Sequence, residues 1–308
     1  MRILITGARG MLGRHLVDAA ERAPGIGEVI SVDRDVVDLE DPVATKEYFA
    51  THVPDVVVHA AAFVAGVQVR VDAPDDFLMR NVLIDSSVLS AAAQLGVPRL
   101  LYVSSAGVYP DAAAQPITED ALMTGPIEST MEPYALAKLL GIRRCDYLSR
   151  QHGVAYRAVI PSNIYGPGQH FGGDRAHLVA AALDKAHRAK AEQSSIDVWG
   201  DGTALREFTW APELGSWLID IAQRTEELPA FMNVGSGVEV SIREVYELAR
   251  KVVDYNGSLA FDATRPTGSH RRLLDSSTAR RFGWDPRVDF ASGMSESYQD
   301  YLKGRVGD

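Results

Sequence analysis

Short apolar runs bounded by small or polar residues alternate along this chain with longer stretches in which apolar side chains recur every three or four positions. Arg2–Thr6, Glu28–Asp33, Asp55–Ala60 and Arg99–Ser104 each hold a β-rich core of strand length. Between them, Met11–Arg22, Pro42–Thr51 and Asp75–Leu95 carry a helical pattern. Another strand, Ala155–Ile160, follows a helix that opens at Pro133, where a missing N–H does no harm. Alternation of this kind predicts parallel βαβ units with right-handed crossovers, and hence an α/β fold built on a doubly wound Rossmann sheet. Past Pro161 the pattern turns irregular. Gly166-Pro167-Gly168 and Gly172-Gly173 break it, and it then predicts a helix over His177–Lys190, a strand over Phe231–Val234 and a helix over Ser241–Val253. The division expected is a dinucleotide-binding domain over 1–165, with 206–235 returning to it, and a smaller C-terminal lobe from 166–205 and 236–308. The connection Pro110–Glu132 is long for such a fold; it either helps to close a site or is mobile surface.

Composition narrows the class. In 308 residues, 46% hydrophobic and 23% charged side chains predict a packed globular core rather than disorder. A formal net charge of -10 argues against a nucleic-acid binder, although local amides and a few arginines can still hold a phosphorylated substrate. The single cysteine, Cys145, allows no internal disulfide and reads as a small apolar residue of the Pro133 helix. The first strand begins at Arg2, with no charged leader and no run of bilayer length, so a cytoplasmic protein without a membrane partner is expected. No metal is expected.

Candidate chemistry enters at the end of the first strand. Gly7-Ala8-Arg9-Gly10-Met11-Leu12-Gly13 puts three glycines between a strand and a helix. There they permit a tight turn and close approach of backbone to a pyrophosphate. The spacing is Gly-x-x-Gly-x-x-Gly, not the Gly-x-Gly-x-x-Gly of the usual dinucleotide fingerprint. Asp33 ends the second strand, where a carboxylate accepts from ribose hydroxyls and repels a 2′-phosphate, favouring NAD(H). Arg34 and Arg9 are the opposing candidates for a 2′-phosphate, so NADP(H) stays open. Ala60, Ala61 and Ala62 leave room across the third strand end, and Asn81 in the next helix is placed to bridge helix and strand.

The strand over Leu100–Val103 runs into Ser104-Ser105-Ala106-Gly107-Val108-Tyr109-Pro110, which sets Ser105 at the crevice where open α/β sheets bind ligands. Tyr134 and Lys138 follow, four residues apart on one helix face. An ammonium there would hold a neighbouring phenol closer to its anion. A tyrosine so tuned can exchange a proton with an oxygen while hydride moves on the adjacent carbon.

With these residues in order, the chain resembles the short-chain dehydrogenase/reductase superfamily in its extended, nucleotide-sugar-modifying branch, and within it the GDP-L-fucose synthases. The likeness runs through Gly7–Gly13, Ser105–Pro110, Glu132–Lys138, Pro161–Pro167, Val198–Gly200, Arg206–Phe208, Asn233–Gly237 and Arg272–Asp275. The resemblance implies that Tyr134 gives a proton to the C4 oxygen of a 4-keto sugar. Ser105 would orient that oxygen, while Lys138 would hold the nicotinamide ribose. It puts Asn163, Trp199, Arg206 and Arg272 at the nucleotide sugar and implies a homodimer. In the fucose synthases a cysteine and a histidine serve epimerisation beside the ketone; His177 matches the histidine, but Gly107 stands at the cysteine position. The expectation is therefore C4 reduction of a GDP-linked sugar, with epimerisation left short of one partner. An NAD-dependent nucleotide-sugar 4-epimerase is the main alternative. A dehydratase is disfavoured, because Ala106 and Gly107 stand where that family has acidic residues. A non-catalytic cofactor sensor of the same fold would be expected to have lost Tyr134 or Lys138.

Overall fold

The computed structural model describes residues 1–173, 176–265 and 268–305, so residues 174–175, 266–267 and 306–308 of the expected second lobe lie outside the description. The first half runs β1 (Arg2–Thr6), α1 (Met11–Arg22), β2 (Glu28–Val32), α2 (Pro42–His52), β3 (Val56–His59), α3 (Val67–Asp72), α4 (Pro74–Gln94), β4 (Arg99–Val103), α5 (Glu132–His152) and β5 (Ala155–Pro161). The second continues with β6 (Asn163–Tyr165), α6 (Leu178–Glu192), β7 (Ile196–Trp199), β8 (Leu205–Trp210), α7 (Ala211–Ala222), β9 (Phe231–Val234), β10 (Glu239–Ser241), α8 (Ile242–Val252), β11 (Leu259–Asp262), α9 (Ser277–Arg281) and α10 (Phe290–Arg305).

Six strands pair in parallel in the order β2-β1-β3-β4-β5-β9. The order reverses between β1 and β3, as in a doubly wound sheet, and this is the edge where such sheets bind ligands. Two apolar layers cover it. Phe49, Val88, Leu89, Ile142 and Tyr156 pack with α2, α4 and α5 on one face. Leu16, Leu214, Trp217, Leu218 and Ile221 pack with α1 and α7 on the other. Because both faces are covered, β1, β3 and β4 are apolar at nearly every position, which is why they read so clearly in sequence.

A third core, with Leu183, Val198, Phe208, Trp210, Tyr246 and Tyr298, lies under α6, α8 and α10. Its strands form a three-stranded sheet, β10-β8-β6, and a β11-β7 pair. Only Ser162 separates β5 from β6, and its hydroxyl meets Thr209 Oγ1 at 2.7 Å. The 110–131 segment is tied down at both flanks. Ile117 exchanges backbone hydrogen bonds with Leu273 and Asp275, and Asn233 of β9 takes Tyr109 OH at 2.6 Å while donating to Ile117 O at 2.9 Å. These ties hold the Tyr109–Ile117 part of the connection against β9 and the 273–275 segment. No helix among the described residues is long and apolar enough to cross a membrane.

Candidate active site

The glycine loop is built for close approach. Gly7 has φ +72°, and a Cβ there would sit 2.9 Å from the Ala61 backbone. A Cβ on Gly13 would overlap the Gly7 carbonyl, so only glycine lets α1 start so near the loop. Gly10 caps α1 without a side-chain hydrogen bond, which leaves the first N–H groups of the helix and its positive dipole end facing the loop. Leu12 turns into the core, so it offers a ligand chiefly its backbone, while Met11 beside it stays partly exposed. This cradle fits the pyrophosphate of a dinucleotide.

At the adenosine end, Arg9 pairs with Asp35 and lies 3.9 Å from Asp33. Arg34 is 4.0 Å from Glu40, which Arg80 also holds at 2.6 Å. Both arginines that sequence offers to a 2′-phosphate thus face carboxylates. Ala60, Ala61 and Ala62 leave β3 at the same edge. Asn81 is buried, and its amide accepts from Phe63 N at 2.9 Å while donating to Phe63 O and Phe77 O, so it fixes the loop that follows the alanines.

Ser105 stands just past β4 and caps a 3₁₀ turn at Ala106–Val108, its Oγ accepting from Gly107 N at 3.2 Å. The α5 helix packs on this turn and presents Tyr134 in its first turn, partly open to the cleft. Lys138, 1% exposed, donates to Asp85 Oδ1 at 3.3 Å. Here the structure differs from the spacing argument. Burial, and then the Asp85 charge, push the Tyr134 phenol above its ordinary value, with Arg70 pulling the other way. The lysine is matched by a carboxylate, so the tyrosine rests as a phenol with a proton to give.

Arg70, on the short helix α3, was not foreseen. Its guanidinium donates to Ala65 O at 3.0 Å and Thr130 O at 3.4 Å, and its charge acts on both Tyr134 and His177. His177 sits at the N-cap of α6, accessible at its surface but hemmed in by protein. Burial, then Arg70 and His170, lower its pKa and keep the ring neutral. A Cβ on Gly107 would lie 2.7 Å from the Met131 methyl, the far end of a flexible side chain. Met131 was also not foreseen, and only its position just before Glu132-Pro133-Tyr134 hints at it.

Beside this turn, Arg272 donates to Ala106 O at 3.1 Å and Ser269 Oγ at 2.8 Å. Arg206 donates to Leu205 O at 2.7 Å; burial, and then the charge of Arg272, lower its pKa to about 10. The Arg272 charge thus weighs on a buried neighbouring guanidinium, with Glu128 and Asp111 offsetting part of it. The next residue, Glu207, is fully buried, accepts from Gly237 N at 2.7 Å and Leu274 N at 3.0 Å, and is raised by burial to about 7. Asn163 donates to Glu207 O at 2.9 Å. Trp199, at the end of β7, lies between Lys185 and Arg265, with ring contacts of 5.9 and 5.2 Å, rather than against the Arg206 pair.

A doubly wound sheet with a glycine cradle at its switch point, and a serine, tyrosine and buried lysine beside it, defines a nicotinamide-dependent oxidoreductase of the extended short-chain dehydrogenase/reductase type, using NAD(H) or NADP(H). The model of the NAD dependent epimerase/dehydratase family matches residues 3–235, and the chain belongs to that family. It is 36% identical to GDP-L-fucose synthase of Escherichia coli (strain K12), covering 99% of this chain and 97% of that protein. GDP-L-colitose synthase of Yersinia pseudotuberculosis is 33% identical over all of both chains. Among solved structures, the GDP-mannoheptose C4 reductase from Campylobacter jejuni with NADP bound superposes with a TM-score of 0.87 at 26% identity, covering 98% of each chain.

Proposed function

We propose that this enzyme reduces the C4 ketone of a GDP-linked 4-keto-6-deoxy sugar and does not epimerise the neighbouring carbons. The observation that carries the second clause is the Met131 methyl packed over Gly107. With no titratable group at Gly107, two-sided proton exchange at C3 and C5 loses one partner and leaves His177 to act alone. The GDP-sugar part draws on the names of the relatives and on the Arg206–Arg272 pair. What the bound nicotinamide supplies is a hydride to C4. Tyr134 delivers its phenolic proton to O4, the Ser105 hydroxyl donates to the same oxygen and orients it, and Lys138 holds the ribose next to Tyr134. Asn163 and Trp199 line the nucleotide end in this reading. The exposed Met79 and Leu83 on α4, with Leu136, Leu140 and Tyr147 on α5, form an apolar face suited to a homodimer; Leu140→Glu should then yield monomers on sedimentation.

One observation favours a second reading. Asp33 and Asp35 hold Arg9 and favour NAD(H), as suits a 4-epimerase that recycles its cofactor in place. The test is turnover of GDP-4-keto-6-deoxy-mannose with NADH or NADPH in heavy water. Cofactor should be consumed, with no deuterium at C3 or C5 of the product. Deuterium there would sink the reductase-only reading. Failure to oxidise either cofactor would move 4-epimerisation of another nucleotide sugar to the front.

A further inference from the structure

The ammonium of Lys138 belongs to a connected set of buried polar groups that reaches across the sheet. Asp85, 3% exposed on α4, accepts from Lys138 Nζ at 3.3 Å and His59 Nε2 at 3.0 Å on one oxygen, and from Tyr102 OH at 2.5 Å on the other. On the far side of the imidazole, His59 Nδ1 lies 2.7 Å from Thr6 Oγ1, which accepts from Ala61 N at 3.2 Å. These contacts fix each proton. A carboxylate can only accept, so His59 turns Nε2–H toward it, and the bare Nδ1 accepts from the Thr6 hydroxyl. The set ends on Thr6 and Ala61, the two residues that flank Gly7 in space.

We propose that Asp85 is the positioning residue of this active site: it orients Lys138 toward the nicotinamide ribose and, through His59 and Thr6, registers that lysine against the glycine loop. The physical need is plain. A lysine buried to 1% exposure has no water to solvate it and a long, freely rotating stem. A carboxylate within reach both balances its charge and selects one geometry. Tyr102 confines Asp85 from below, and its ring lies 4.7 Å from the same ammonium. Asp85 touches neither cofactor nor substrate in this scheme; it acts through Lys138.

The inference rests on Lys138 being the lysine that holds the ribose, and the test separates the two. The whole enzyme is titrated with NADH and with ADP, a fragment that fills the glycine cradle but has no nicotinamide ribose. If NADPH proves the better cofactor, NADPH and 2′-phospho-ADP replace them. Asp85→Asn should weaken NADH by about tenfold or more while ADP stays within about twofold, because the lost charge-assisted contact concerns the ribose end alone. Asp85→Glu should recover most of the loss. Equal weakening of both ligands, or none of NADH, overturns the proposal. Lys138→Met serves as reference. If it lowers the NADH-to-ADP affinity ratio and Asp85→Asn does not, Asp85 alone is rejected; if neither lowers it, the ribose reading of Lys138 falls with it. Should Asp85→Asn fail to fold, Tyr102→Phe keeps the ring and removes one bond to the carboxylate. It should cut the same ratio by about threefold, and an unchanged ratio would count against the proposal.

Discussion

Two sides of one cleft handle charge in opposite ways. On the dinucleotide side, Lys138, His59, Tyr102 and Asp85 are buried together, and each donor finds an acceptor. On the proposed sugar side, the charge of Arg272 disfavours that of the buried Arg206, and Glu128 and Asp111 offset only part of this. A matched network is complete without ligand and behaves as part of the core. Crowded like charges hold repulsion that an arriving diphosphate relieves. The comparison teaches that rigidity and affinity are located apart: one wall positions the chemistry, and the other attracts what is to be transformed.

The largest expected effect concerns the matched side. Tyr134→Phe removes the proton donor and should lower turnover by about a hundredfold to ten-thousandfold, with NADH affinity unchanged on titration. A smaller loss would mean that another group supplies the proton. On the crowded side, Arg272→Gln should weaken GDP by about tenfold to a hundredfold by calorimetry, since it removes a charge-assisted contact. The melting temperature of the free enzyme should hold or rise, because repulsion is relieved. A drop in melting temperature with GDP affinity intact would break the comparison. At the adenosine end, Asp33→Asn frees Arg9 from one carboxylate and should shift relative kcat/KM toward NADPH by about tenfold. The last effect, on stability rather than on turnover or binding, concerns Glu207. Its carboxyl is raised to about 7 from an ordinary 4.5, so the folded chain keeps a proton that the unfolded chain has released. The stability from this group is complete below about pH 4.5 and is lost as pH rises through 7. Urea midpoints at about pH 5 and about pH 8 should show that slope flattened in Glu207→Gln, by no more than about 3 kcal/mol.

Sequence made the large sheet legible because its strands are buried on both faces. It did not disclose α7: its polar positions Glu213, Ser216 and Asp220 are few, and Leu214, Trp217, Leu218, Ile219 and Ile221 crowd the sequence between and around them. The strands β6, β7, β8, β10 and β11 are three to six residues long and pair with distant partners, beyond the reach of a local pattern. At the candidate site, the glycine loop, Ser105, Tyr134 and Lys138 could be singled out because spacing and order mark them. Arg70 was not, since Val67-Gln68-Val69-Arg70 resembles any exposed alternating stretch. Asp85 left a usable trace: it falls four residues after Asn81 on the face of α4 that also buries Ile84 and Val88.

The step from β5 to β6 through Ser162 bears on how this fold can be recombined. The chain passes from the large sheet to the smaller core at Ser162, returns at Ala211 as β8 gives way to α7, and leaves again at Gly235 after β9. It comes back once more at Leu274, Ala279 and Trp284, which join the large-sheet cores, before α10 packs into the smaller one. The smaller core is therefore braided into its host rather than appended to it. A chimera seeking a new substrate by exchanging a terminal block would cut through the braid; one that exchanges loops around Arg70 and Met131 leaves every crossing intact.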